Sequence, residues 1–133
     1  MPPDLEIVKE WLEMAAEDLD VAGRLLQGDR PRPQSASFHC QQAVEKALKA
    51  FLEFRETRPP RTHALGELLD LAETLDSGFS QLRDAQWLTH FAVGARYPGL
   101  EPRPTLGRAL EALHAAEEAV RFVVGRLPDG VRP

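Results

Sequence analysis

The sequence predicts an all-α protein, an up-and-down bundle of four to five helices. Apolar residues recur at steps of three and four over most of the chain, the spacing of one face of an α-helix. Strand signals are missing: no alternating run rich in Val, Ile and Thr stands out, and no Asn-Gly or Asp-Gly turn joins two such runs. Prolines cluster between the periodic segments and cut them into helix-sized pieces. A chain of 133 residues fits one domain with a single core. The expected organisation is a bundle over residues 1–127 and a loose tail over 128–133.

The first helix is expected from about Asp4, a natural N-cap behind two prolines, to Leu26. Leu5, Val8, Leu12, Ala15, Leu19, Ala22 and Leu26 form its stripe, and Gly28, Asp29, Pro31 and Pro33 end it. The second is expected from about Gln34 to Glu56. At about 100° per residue, Cys40, Val44, Ala47, Leu48 and Phe51 share a face, flanked by Ala36, Ala43, Ala50 and Phe54 on one side and Leu52 on the other. So wide an apolar arc suits a helix packed on more than one neighbour. The opposite side, with Ser35, His39, Gln42, Lys46, Lys49 and Glu53, reads as a polar face. A third helix, starting near Thr62 or His63, carries Leu65, Leu68, Leu69, Ala72 and Leu75. A fourth, from about Phe79 to Ala95, carries Leu82, Leu88 and Phe91. The last runs from the N-cap Thr105 to Leu127 on a stripe of Leu106, Leu110, Leu113, Val120 and Val124.

The formal net charge is -5, so no overall basic field holds long nucleic acid, and any contact with RNA or a nucleotide requires a local patch. The single cysteine, Cys40, has no partner within the chain for a disulfide, and no Cys/His spacing suggests zinc. No phosphate loop, dinucleotide fingerprint or His-Glu-x-x-His is present. The expectation is therefore no cofactor and no metal. The opening Met-Pro-Pro-Asp lacks a basic-then-apolar run and no apolar stretch is long enough to span a bilayer, so a cytoplasmic protein without membrane contact is expected.

Three places could carry chemistry. Gln42, Lys46 and Lys49 form a stripe along the second helix, beside Glu45. It reads either as a solvated face, with Glu45 and Lys49 as an i, i+4 ion pair, or as a partner or phosphate-contacting surface. Arg96-Tyr97-Pro98 puts a planar cation beside a ring, which suits the phosphate and base of a nucleotide, and suits equally a helix end packing back on the bundle. His63 stands at a helix start, where the N-terminal field favours the neutral imidazole. It reads as a base or as a capping residue. Cys40 reads as a small core residue.

Four blocks, in order, resemble the HEPN domains. Trp11, Ala15, Asp18, Leu19 and Ala22 match that family's Trp-x3-Ala-x2-Asp-Leu-x2-Ala opening. Phe38-His39-Cys40-Gln41-Gln42-Ala43-Val44-Glu45-Lys46-Ala47-Leu48-Lys49-Ala50 is similar to its signature second helix. Thr62, His63, Leu65, Glu67 and Leu68 look like the next motif, and Ala95-Arg96-Tyr97-Pro98 like the one after. The resemblance covers about residues 5–125. It implies an up-and-down bundle, usually a homodimer, paired with a minimal nucleotidyltransferase in a toxin–antitoxin type of module. Some members of the family are metal-independent ribonucleases acting through Arg-x4-6-His at the entry to the last helix. Arg32/His39, Arg58/His63, Arg83/His90 and Arg108/His114 all have that spacing, whereas no histidine follows Arg96 at it. Arg96, Arg108 and His114 are the catalytic candidates, although Arg108 and His114 lie about 120° apart around their helix. The leading expectation is a nucleotide- or RNA-associated binding protein, with Arg96, Tyr97, His63, Gln42, Lys46 and Lys49 carrying recognition. The alternatives are a ribonuclease toxin and a plain protein-interaction bundle.

Overall fold

The second helix can be central only if nearly all of its circumference is apolar or paired, and it is. The computed structural model describes residues 2–93, 98 and 102–133, and among these there is no strand. Helix α1 (Leu5–Leu25) lies along α2 (Pro33–Phe54), α5 (Leu106–Val124) packs on another side of α2, and α3 (Leu65–Leu75) closes against it together with a 3₁₀ helix (Ser77–Thr89) and the short α4 (His90–Val93). The result is an up-and-down helical bundle. Ala36, Cys40, Ala43, Val44, Ala47, Leu48, Ala50, Phe51 and Leu52 of α2 are all buried in the core. Phe79 of the 3₁₀ helix stacks at 4.2 Å on Phe51 and meets Phe122 of α5 edge-on at 5.2 Å, which ties three elements at one point.

The termini follow local chemistry. Asp4 caps α1, its carboxylate accepting from the Glu6 and Ile7 amides, and the Thr105 hydroxyl caps α5 by accepting from the Arg108 amide. Helix α2 ends in a Schellman turn: the Thr57 amide donates to the Leu52 carbonyl at 2.8 Å and that of Glu56 to Glu53 at 3.0 Å. Glu56 occupies the left-handed position at φ 56° that glycine usually takes. Gly28, at φ 80°, makes the turn between α1 and α2.

Four expectations are corrected. The third helix begins at Leu65, later than Thr62, because the Thr62 hydroxyl accepts from the Ala64 amide and holds a turn there, while the Leu65 amide donates to Thr89. The fourth segment is mainly a 3₁₀ helix: its buried residues Phe79, Leu82, Ala85 and Leu88 recur every third position, the period of that helix. The expected end of this segment, toward Ala95, lies outside the described residues. Leu106 and Leu110 of α5 are 40% and 49% exposed and Leu5 of α1 is 46% exposed, so these leucines do not face the core. Alanines do: Ala112, Ala116 and Ala119 are buried in the core, and α5 packs on α2, whose own face is rich in buried alanines. Finally, residues 128–133 are not a loose tail. A 3₁₀ turn, Asp129–Val131, folds back on α1 and buries Val131 to 2% exposure, and Arg132 donates to the Leu127 carbonyl.

That last packing has a measurable weight. Val131→Ala should lower stability by about 1–2 kcal/mol, the usual range for removing a buried branched side chain at the edge of a core. Denaturant unfolding should show a lower midpoint at unchanged slope. A midpoint equal to wild type would mean that the terminal turn contributes nothing.

Candidate functional site

Two polar regions stand out: one inside the seam between α1 and α2, the other on the open side formed by α3, the 3₁₀ helix, α4 and the start of α5.

In the seam, two carboxylates each hold one histidine and one lysine. Asp18 of α1 is 2.8 Å from His39 Nδ1 through one oxygen and 2.7 Å from Lys46 Nζ through the other. Glu45 of α2 is 2.9 Å from His63 Nδ1 and 3.0 Å from Lys49 Nζ in the same manner. Since an ionised carboxylate only accepts, both imidazoles present Nδ1–H to it and keep Nε2 on the outer side. Gln41, fully buried, donates to Glu45 and to the His63 carbonyl, and accepts from Gln42. The Lys49 ammonium lies 5.6 Å from the Trp11 ring centroid, a cation–π contact that completes its surroundings.

Burial by itself pushes the Glu45 carboxyl up. Hydrogen bonds from Gln41, His63 and Lys49, with the Lys49 charge, outweigh it and hold the group below its ordinary value. Cys40 is driven the other way: burial first, then the negative charges of Glu117 and Asp18, push its thiol up to about 12, which keeps it protonated and inert.

The Gln42, Lys46 and Lys49 stripe is thus not a solvated face. The predicted Glu45–Lys49 ion pair is present, but Lys49 is only 8% exposed and Glu45 only 3%, because α1 lies across them and supplies Asp18 and Trp11. His63 joins the same network from the turn before α3, with its ring half open to solvent. Gln42, Lys46, Lys49 and His63 are therefore brought together, Lys46 paired with Asp18, Lys49 and His63 with Glu45, and Gln42 joined through Gln41. Asp18 as the partner of His39 and Lys46, and His63 as the second partner of Glu45, are what the sequence reading missed. The i, i+4 spacing signals Glu45–Lys49, whereas Asp18, from another helix, has no such signal.

The open side is different. The Arg108 guanidinium carbon lies over Trp87, 3.8 Å from the ring centroid, while Phe91 meets the same ring edge-on at 5.8 Å. A depression of about 430 Å³ runs past Trp87, His90, Phe91, Arg103 and Arg108, and one of about 710 Å³ adjoins it, sharing Trp87 and His90 and adding Gly66, Asp70, Arg83 and Gln86. Arg83 is clamped to Asp70 at 2.6 Å and Glu73 at 2.8 Å, and these bonds, Glu73 first, raise its pKa further. Arg103 has no ion pair among the described residues. Arg96 and Tyr97 lie outside the described residues. Arg108 and His114 are not assembled into a pair: Arg108 is bound to Glu111 at 2.7 Å, and the exposed His114 faces Glu118 at 3.9 Å. Among the described residues no group of three or more His, Cys, Asp or Glu is arranged to hold a metal ion. Among them, too, no helix is long and apolar enough to cross a membrane. Trp87 was not among the expected site residues, because a lone tryptophan in a helical pattern reads as core.

The seam network yields a test. Lys49→Ala should cost about 3–5 kcal/mol, because it strands a buried carboxylate, while a paired Glu45→Leu/Lys49→Met replacement should recover much of that. The depressed Glu45 carboxyl adds stability that is present above its ordinary value of 4.5 and is lost as pH falls through the lower folded-state value. Glu45→Gln should therefore flatten the acid side of the stability profile; an unchanged profile would show that Glu45 is not held in this way.

Residues 8–127 match the family model described as HEPN domain. The fold is similar to the crystal structure of TT1696 from Thermus thermophilus, with a TM-score of 0.72 and 30% identity over 90% of this chain and 98% of that one. Among curated proteins none matches. Both the sequence blocks and the bundle are accounted for by one conclusion: the chain belongs to the HEPN domain family.

Proposed function

We propose that this HEPN protein is a nucleotide- or RNA-associated binding protein that works beside a minimal nucleotidyltransferase in a toxin–antitoxin type of module. The observation that carries the nucleotide reading is the Trp87–Arg108 stack in an open depression with Arg103 on its rim. A base laid on the stack lengthens it, and its phosphate comes within reach of the Arg103 guanidinium, which has no ion pair among the described residues. Arg96 and Tyr97 stay in the proposed recognition set from the sequence motif, and His63 offers a half-exposed ring beside the turn into α3. Gln42, Lys46 and Lys49 support recognition from beneath, by holding α1, α2 and His63 in register. The proposed assembly includes a homodimer.

A ribonuclease reading retains one specific support. Arg83 and His90 have the Arg-x4-6-His spacing and line the same depression. Against it, Arg83 is tied to two carboxylates, which compete with a substrate phosphate for its guanidinium.

Calorimetry with mononucleotides and short RNA should give binding that Trp87→Ala and Arg108→Ala each weaken by about tenfold or more, the loss expected for one base-stacking contact. Binding unaffected by both changes would remove the groove from the reading. RNA incubated with the protein in EDTA should remain intact; cleavage abolished by Arg83→Ala or His90→Ala would establish the ribonuclease instead. Co-expression with a minimal nucleotidyltransferase should yield a complex, and separate elution of the two would reject the pairing.

A further inference from the structure

The amino-terminal half of α1 leaves large apolar side chains in solvent, with Ile7 39% and Met14 44% exposed. They flank Trp11, and with Glu10 of α1 and Glu53 of α2 these residues line a depression of about 300 Å³. Its walls are apolar and its rim is acidic. Glu10 and Glu53 make no hydrogen bond or ion pair among the described residues. The nearby Lys49 does not neutralise the rim, since its ammonium is bound to Glu45 beneath the Trp11 ring. Further around α1, Glu6, Glu13, Glu17 and Asp20 extend the negative surface, offset by Lys9 and by Arg24, which pairs with Asp20.

Apolar walls under unpaired carboxylates complement a long side chain with an apolar stem and a cationic head. Arginine fits best, because its planar head can bridge carboxylates and lie on an aromatic ring at once. A second copy of this chain is disfavoured on this face. A two-fold contact would set the acidic patch against itself and place like charges together.

We propose that the α1 depression is a docking surface for a basic partner protein, receiving an arginine side chain between Ile7, Trp11 and Met14 with its guanidinium held by Glu10 and Glu53. This extends the reading of the chain as one half of a protein pair, and it stands on α1 and α2 without using the Trp87 groove.

The test uses the full chain carrying Trp87→Phe, so that Trp11 is the remaining tryptophan of the two. The probe is an amidated helical peptide with arginines bracketing a leucine, set against a twin in which glutamine replaces each arginine. The arginine peptide should shift Trp11 emission saturably. Its dissociation constant should rise about tenfold or more, the loss of at least one good charge pair, for the glutamine twin and for Glu10→Gln/Glu53→Gln. Asp84→Asn/Glu118→Gln removes the same charge elsewhere and should leave binding within about twofold, as expected of screened distant charges. The proposal is overturned by no shift at millimolar peptide, by equal binding of the twins, or by equal weakening in both double variants. It is overturned also if spermidine displaces the peptide as well as the peptide displaces itself, or if Met14→Glu turns a dimer into a monomer without affecting the peptide. A nucleotidyltransferase complex that survives Glu10→Gln/Glu53→Gln removes this surface and leaves the pairing. Peptide binding that behaves as expected, with no such complex from the wild-type chain, does the reverse.

Discussion

Two negative charges inside a helical seam constrain everything around them. Asp18 and Glu45 are tolerable between α1 and α2 only because each is met on both oxygens, by an imidazole on one and an ammonium on the other. Those partners come from α2 and from the turn before α3. Satisfying the carboxylates therefore fixes the axial register of α1 on α2 and the point at which the chain returns toward α3. Apolar packing would allow a helix to slide by a turn at modest cost, whereas a buried charge pair would not.

The small residues of α2 and α5 work with this. Alanine faces give little area each and suit closely packed helices, and the buried alanines of both elements lie where α5 packs on α2's side of the bundle. Two larger leucines of α5, Leu106 and Leu110, are exposed on its outer side. Arg83 joins α3 to the 3₁₀ helix through Asp70 and Glu73, so the platform that presents Trp87 has a brace of its own beside the seam.

Much of the fold was legible because its signals are local. Asp4 and Thr105 cap the helices that their positions announce, and the wide apolar arc of α2 does mark a helix enclosed by neighbours. The 3₁₀ helix was also written in the chain, as Phe79, Leu82, Ala85 and Leu88 at steps of three, but a step of three is equally the first half of an α-helical pattern. The polar stripe of α2 misleads for a different reason. Burial of Lys49 depends on what another helix places above it, and a helical wheel shows direction around one axis without showing what lies there. The same limit hid the Trp87–Arg108 stack, which joins residues far apart in sequence. The family blocks, by contrast, were readable because they are defined by order and spacing along the chain.

The paired lysines also decide the covalent reactivity of the surface. The chain has three lysines, and two of them, Lys46 and Lys49, have side chains 17% and 10% exposed and are bonded to carboxylates. Lys9, on the outer face of α1, is the lysine left open. The other fixed positive charges are guanidinium groups, which stay protonated and do not react as free amines do. Among the three lysines, acylating reagents or acetyl-transferring enzymes therefore meet one open amine, that of Lys9, and acylation of Lys46 or Lys49 would report that the seam between α1 and α2 had opened.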